Sequence, residues 1–297
     1  MRYQTLLLLL AMGFTLTRAE IPKMRGYTLT WGDDFLGSAG SLPDPKNWIV
    51  DIGTQYPNGP PQWGNGEVQH YTDNSENLKL VGDGNLQITP LKNATNAWTS
   101  ARIESQRTDF QARSGGRMRI SARIKLPDVQ GDQALGYWPA FWTLGDAYRG
   151  NYQNWPAVGE VDVMENINGA DGAWGALHCG VHPGGPCKEP NGLAKFNQCP
   201  GTSCRGNFHV YSIDIDRSYR PETITWSVDE QVYHHLTEKN LGVAAWAKIF
   251  HHGHFILLNV AIGGYFPNGH HGSPTPLEST VPGKSMLVDY VAVYNSV

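Results

Sequence analysis

Arg117-Met-Arg-Ile-Ser-Ala-Arg-Ile-Lys-Leu126 alternates in character along its length. In an extended chain Ile120, Ala122, Ile124 and Leu126 fall on one face, with Arg119, Ser121, Arg123 and Lys125 on the other. That period of two predicts a half-buried strand, and strand-like runs recur on both sides of it. They cover residues 27–31, 67–71, 85–90, 137–144, 160–167, 174–178, 209–215, 223–228, 231–236, 255–262 and 286–294. The runs 223–228 and 231–236 flank Asp229-Glu230, which predicts a tight hairpin. Residues 241–250 alone read as a short helix. Strands without alternating helices predict an all-β chain, a sandwich of two antiparallel sheets. No repeat and no Ser-, Gly- or charge-rich linker divides it, so residues 20–297 are expected to form a single domain.

The composition agrees. Of 297 residues, 34 are Gly and 19 are Pro, and only 17% are charged. Gly and Pro together reach about 18%, above the usual ~12% but below the ~25–30% of low-complexity chains. With 10 Trp, 13 Tyr and 9 Phe, the chain is neither disordered nor a coiled coil. Residues 1–19 read as a secretory signal: Arg2 is the basic start, Leu6 to Met12 an apolar run, and Thr17-Arg18-Ala19 ends on a small residue. The apolar run is shorter than the ~20 residues that span a bilayer. Without this segment, 21 basic residues face 27 acidic ones, a formal charge of −6. Such a surface offers nothing to nucleic acid or to an anionic membrane. The expected location is extracellular and the expected state a monomer.

Cys179, Cys187, Cys199 and Cys204 lie within 26 residues, an even number suited to an oxidising compartment. Their intervals lack the paired C-x2-C knuckles of structural zinc sites. Two disulfides are expected, stapling one long Gly/Pro-rich loop, with three pairings open. Asn93-Ala-Thr95 is an N-glycosylation sequon.

The chemistry is concentrated in Gly159-Glu-Val-Asp-Val-Met-Glu-Asn166. Glu160 and Asp162 share a face by the strand period, whereas Glu165 should point the other way. One extra residue around Val163-Met164, a β-bulge, would return Glu165 to the same face. Three acids on one face repel one another, a cost that a purely structural strand has no reason to carry. Retaining glycoside hydrolysis supplies a reason: it needs two carboxyl groups about 5–5.5 Å apart, one attacking the anomeric carbon and one protonating the leaving oxygen. A neighbouring carboxylate raises the acid's pKa and keeps it protonated.

The pattern E-x-D-x-x-E resembles the signature of glycoside hydrolase family 16, in its laminarinase-like (endo-β-1,3-glucanase) branch. Further blocks resemble that family in the same order: Trp63-Gly-Asn65-Gly-Glu67, Ser121-Ala-Arg-Ile-Lys-Leu-Pro127, Trp138-Pro-Ala-Phe-Trp142, Trp155-Pro156, Phe255-Ile-Leu-Leu-Asn259-Val-Ala-Ile-Gly-Gly264 and Val288-Asp289-Tyr-Val-Ala-Val-Tyr294. The resemblance implies a β-jelly roll of two curved antiparallel sheets with a concave substrate cleft crossed by the acidic strand. It implies Glu160 as nucleophile, Glu165 as acid/base and Asp162 as their assistant. It favours β-1,3-glucan, with mixed-linkage chains also open. Another β-glycan such as a galactan, transglycosylation, and glucan binding without catalysis are the alternatives.

By family position Trp138, Trp142 and Trp155 are candidates for stacking on sugar rings, and Trp63, Asn65 and Arg102 for contacts on the non-reducing side. His178 is a candidate near the cleaved bond and Asn259 for the cleft floor, while Glu67 is the structural member of its block. No cofactor is required; the resemblance allows a structural calcium near Asp289. His252 and His254 have the spacing of strand neighbours, which a metal could use. The segment 179–207 is longer than in a typical laminarinase and could border the product side.

Overall fold

The computed structural model describes residues 20–297; the expected signal segment, 1–19, lies outside the described residues. In chain order the first strands are β1 (Tyr27–Asp33), β2 (Trp48–Asp51), β3 (His70–Tyr71), β4 (Leu78–Leu80), β5 (Leu86–Ile88), β6 (Leu91–Lys92), β7 (Trp98–Ser100), β8 (Arg102–Ser105) and β9 (Arg117–Lys125). Then come β10 (Tyr137–Gly145), β11 (Glu160–Glu165), β12 (Ala173–His178), β13 (Lys195–Asn197), β14 (Phe208–Asp216), β15 (Thr223–Val228) and β16 (Gln231–Thr237). Helices α1 (Glu238–Leu241) and α2 (Val243–Phe250) precede β17 (His254–Ile262), and α3 (Tyr265–His271) precedes β18 (Met286–Ser296).

These strands build two large sheets. One runs β16-β15-β14-β9-β18-β5-β4, with β1 also paired to β18; the other runs β13-β12-β11-β10-β17-β8-β2. Strands β3, β7 and β6 form a small third sheet. Neighbours distant in sequence, such as β9 beside β18 and β10 beside β17, give the crossed connections of a jelly roll. The expected all-β sandwich is the fold.

The alternation of β9 is realised between the layers. Ile120, Ala122 and Ile124 are fully buried and share one core with Val161, Met164, Ile256, Leu258 and Val260 of the facing sheet. Burying one such side chain contributes roughly 1.5–3 kcal/mol. The outer face of the same sheet is not bare either, because Ile21, Met24 and Tyr27 pack on Tyr290, Ala292 and Tyr294 of β18. At the expected hairpin, Val228 pairs with Gln231, and Asp229 and Glu230 take φ of 47° and 64°. Positive φ at both central residues matches the right-handed twist of the flanking strands.

Some elements differ from expectation. The predicted helix is two helices, because Gly242 at φ 85° breaks the run between α1 and α2. Within 67–71 only His70–Tyr71 is strand. Strands β2, β4, β6, β7, β8 and β13 were not anticipated, since at two to four residues they are too short to display a period, and neither was the seven-residue helix α3. The disulfides join neighbours, Cys179 to Cys187 and Cys199 to Cys204, so the 179–207 segment carries two small staples. No helix among the described residues is long and apolar enough to cross a membrane.

Candidate active site

The site is made by one surplus residue in β11. Against β10, Glu160 pairs with Leu144, Val161 with Thr143 and Asp162 with Trp142; the ladder then resumes with Met164 opposite Phe141 and Glu165 opposite Ala140. Val163 has no partner there, and β12 shows the same slip between Asp162 and Glu165. Val163 and Met164, adjacent in sequence, are consequently both buried in the interlayer core, which a regular strand forbids. Glu165 returns to the face of Glu160 and Asp162. The kink is fastened from the opposite layer: Trp226 of β15 donates its indole N–H to the Asp162 main-chain oxygen at 2.8 Å. That approach requires Gly175 on β12, where a Cβ would lie 2.5 Å from the Trp226 ring.

Each acid has its own surroundings. Glu165 accepts from Trp138 Nε1 at 2.7 Å. Glu160 pairs across the ladder with His178, whose Nε2 lies 3.3 Å from Asp162 Oδ2 and whose Nδ1 lies 2.7 Å from Glu189 Oε2. Burial, then the neighbouring Asp162 carboxylate, raises the Glu165 carboxyl to about 8. The same two causes push Glu160 well above the ordinary carboxyl range, with His178 pulling it back. Burial opposes charge on His178, but Asp162 and Glu189 outweigh it and raise the imidazole well above its ordinary value. Glu160, Asp162 and His178 each bring an atom within 4.8 Å of the others, a spacing a cation could use. Both imidazole nitrogens are already engaged by carboxylates, so the cluster is built to hold protons rather than an ion.

Comparison with known proteins places this geometry. A family model described as the XgeA-like catalytic domain of glycoside hydrolase family 16 matches residues 65–205. The crystal structure of endo-1,3-β-glucanase from Streptomyces sioyaensis is 47% identical, with a TM-score of 0.91, over 94% of this chain and 99% of that one. The chain belongs to glycoside hydrolase family 16, in its laminarinase-like branch. The glucan endo-1,3-β-glucosidase A1 of Niallia circulans is 30% identical over 92% of this chain, which spans 38% of that protein's length. The β-glucanase of Rhodothermus marinus is 29% identical over 90% of this chain and 85% of its own.

In this family 16 chain the expected ligand-contacting residues divide into two levels. Trp138, Trp142, Trp155 and His178 are half-buried, and Trp155 packs against the His178 ring with centroids 5.9 Å apart. Asn65 is also half-buried and donates to Glu67, which further accepts from Gln69 and Tyr71 and is structural. Arg102 and Asn259 lie deeper, on the floor beneath Trp142. Arg102, 3% exposed, donates to Asp51 and Tyr56 and lies under the rings of Trp63, Trp142 and Tyr56. Asn259 is equally buried, accepting from Trp142 Nε1 at 2.7 Å and donating to Tyr71. Both act through Trp142, because a side chain on the strand floor is covered by the indole above it. Trp63 is buried against Arg102, Tyr56 and Tyr71, and its indole N–H has no protein acceptor.

Two further expectations shift. Asp289 Oδ2 accepts from Arg123 Nη1 at 2.7 Å, so a guanidinium already supplies countercharge where the resemblance allows a calcium. His254 bonds Thr143 and the Ile249 carbonyl through its two ring nitrogens and stacks on His252; burial lowers its pKa to about 4, a structural role. Sequence reasoning missed Trp174, which pairs with Glu165 on β12 and packs against Phe196, Phe266 and His270. Its ring borders a cavity of about 230 Å³ shared with Ile167 and Asn168. The aromatic stripe at 174, 196 and 266 was not visible as a set, because its members come from three elements.

Proposed function

We propose that residues 20–297 act, outside the cell and as a monomer, as an endo-acting hydrolase of internal β-1,3-glucosidic bonds, with retention of configuration. Glu160 attacks the anomeric carbon while protonated Glu165 gives its proton to the departing glycosidic oxygen. In the second half Glu165, now a carboxylate, takes a proton from water as that water attacks the same carbon and Glu160 leaves. Asp162, between them on the same face, shares negative charge with both, and the Trp138 N–H aims Glu165. The Val163 bulge carries this reading, because without it the two glutamates lie on opposite sides of the sheet.

The test is turnover of laminarin followed by reducing-sugar release. Glu160→Gln is expected to abolish it; wild-type activity in that variant rejects the nucleophile assignment. Glu165→Ala with azide and an activated aryl glucoside is expected to form the β-glycosyl azide, and an α-product rejects retention. Product masses from laminarin, lichenan, agarose and galactan decide the glycan: release from galactan alone would overturn the β-1,3-glucan reading. Binding of laminarin without any release would place the protein among non-catalytic glucan binders.

A further inference from the structure

Glu189 is a buried carboxylate that the two-glutamate mechanism leaves unused. It sits in the 179–207 segment, two residues beyond Cys187 of the Cys179–Cys187 disulfide. Its main chain is clamped to Gly184 by reciprocal hydrogen bonds of 2.7 and 2.8 Å. Its side chain has two partners: Oε1 accepts the Cys179 N–H at 2.8 Å, and Oε2 meets His178 Nδ1 at 2.7 Å. The loop is seated on that imidazole. Leu193 N–H donates to the Leu177 carbonyl at 2.9 Å, and Gly192, at φ +65°, lies so close that a Cβ would be 2.8 Å from the His178 ring.

We infer that Glu189 is a positioning residue: it holds the proton on His178 Nδ1, so that the ring faces Asp162 and Glu160 as an imidazolium. The inference rests on the roles proposed above for Glu160 and Glu165. The charged groups facing the ring are Glu160, Asp162 and Glu165 of β11 and Glu189 of the loop; the Trp155 ring closes another side. With one cation among four carboxyl groups, the nucleophile can ionise without leaving the cluster more negative than it can bear. A histidine takes its proton state from the group its other nitrogen meets.

Glu189→Gln tests this with minimal change of shape. A glutamine has one oxygen for two donors. If that oxygen keeps the Cys179 N–H, the amide NH2 faces His178 Nδ1 and requires it to be an unprotonated acceptor. Nitrogen-15 NMR of the imidazole is expected to show His178 doubly protonated at pH 7 in the wild type and neutral in the variant. The acidic limb of kcat/KM on laminarin is expected to move up by about one pH unit, a tenfold loss at the foot of the profile, with KM little changed. Glu189→Asp keeps the charge and is expected to keep the imidazolium and restore most of the profile. The inference is overturned if Glu189→Gln lowers thermal stability but leaves the imidazole signals and the pH profile unchanged. It is equally overturned if the limb moves to lower pH, since His178 would then have kept its proton and only a negative charge been lost. The NMR result stands whatever Glu160→Gln does to turnover, so failure of the catalytic assignment and failure of this inference are told apart.

Discussion

Glu165→Gln should stabilise the protein, and increasingly so as pH rises. The glutamate is 9% exposed and its carboxyl titrates at about 8, against an unfolded value of 4.5. Between those values the folded chain binds a proton that the unfolded chain has released, so stability falls with pH by about 1.36 kcal/mol per unit. The contribution is fully present below pH 4.5 and lost by the time pH has passed 8. Over the 3.5 units the cost reaches a ceiling of about 5 kcal/mol. Glutamine does not titrate, and its Oε1 can still accept from Trp138 Nε1. The difference in stability between variant and wild type should therefore start near zero at pH 4.5 and grow to that ceiling above pH 8. At about 2 °C per kcal/mol for a chain of this size, the gap in Tm opens to roughly 10 °C. Thermal unfolding of both proteins at half-unit steps from pH 4.5 to 9 measures it, with subtraction cancelling groups common to both. A gap that stays constant over this range would refute the claim that Glu165 is held protonated by its surroundings.

The same group sets the alkaline side of catalysis: kcat/KM on laminarin should fall as pH passes about 8, where Glu165 loses the proton it must donate. Excising Val163 leaves Glu160, Asp162 and Glu165 at i, i+2 and i+4, one face of a regular strand, so the deletion variant should fold and keep measurable laminarin turnover; a folded deletion variant without any turnover would contradict Val163 as the surplus residue. Trp174→Ala should raise KM for long laminarin oligomers about fivefold, the equivalent of roughly 1 kcal/mol of ring stacking, and an unchanged KM would remove Trp174 from the cleft. Arg102→Lys should cost about 3–5 kcal/mol in urea unfolding, since a lysine cannot serve Asp51 and Tyr56 together and leaves a buried charge short of partners.

What the sequence makes legible follows from period and spacing. The β9 alternation, the Asp229-Glu230 hairpin and the i, i+2, i+5 acids are local signals, and each has its counterpart in the fold. The surplus residue in β11 is implied by the spacing alone, since three acids cannot share a regular strand face at those positions. Depth is another matter. Arg102 and Asn259 have the residue types of sugar-contacting groups, but whether such a group meets solvent depends on the ring laid over it, here Trp142. Trp174, Phe196 and Phe266 converge from a strand, an edge strand and a short helix, and no window of sequence contains them together. Glu189 is separated from His178 by a loop whose path is set by its disulfide, so its partner could not be read from its neighbours.

The indole of Trp226 reaches across the interior to the main-chain carbonyl of Asp162, at the start of the kink. The spacing of the two layers is thereby written into the shape of the cleft: a small slip of one layer over the other would release the kink before either sheet came apart. Mild heating or cosolvent should therefore silence the enzyme while its strands remain paired. Changes made on the far layer, well out of reach of any sugar, should alter its turnover.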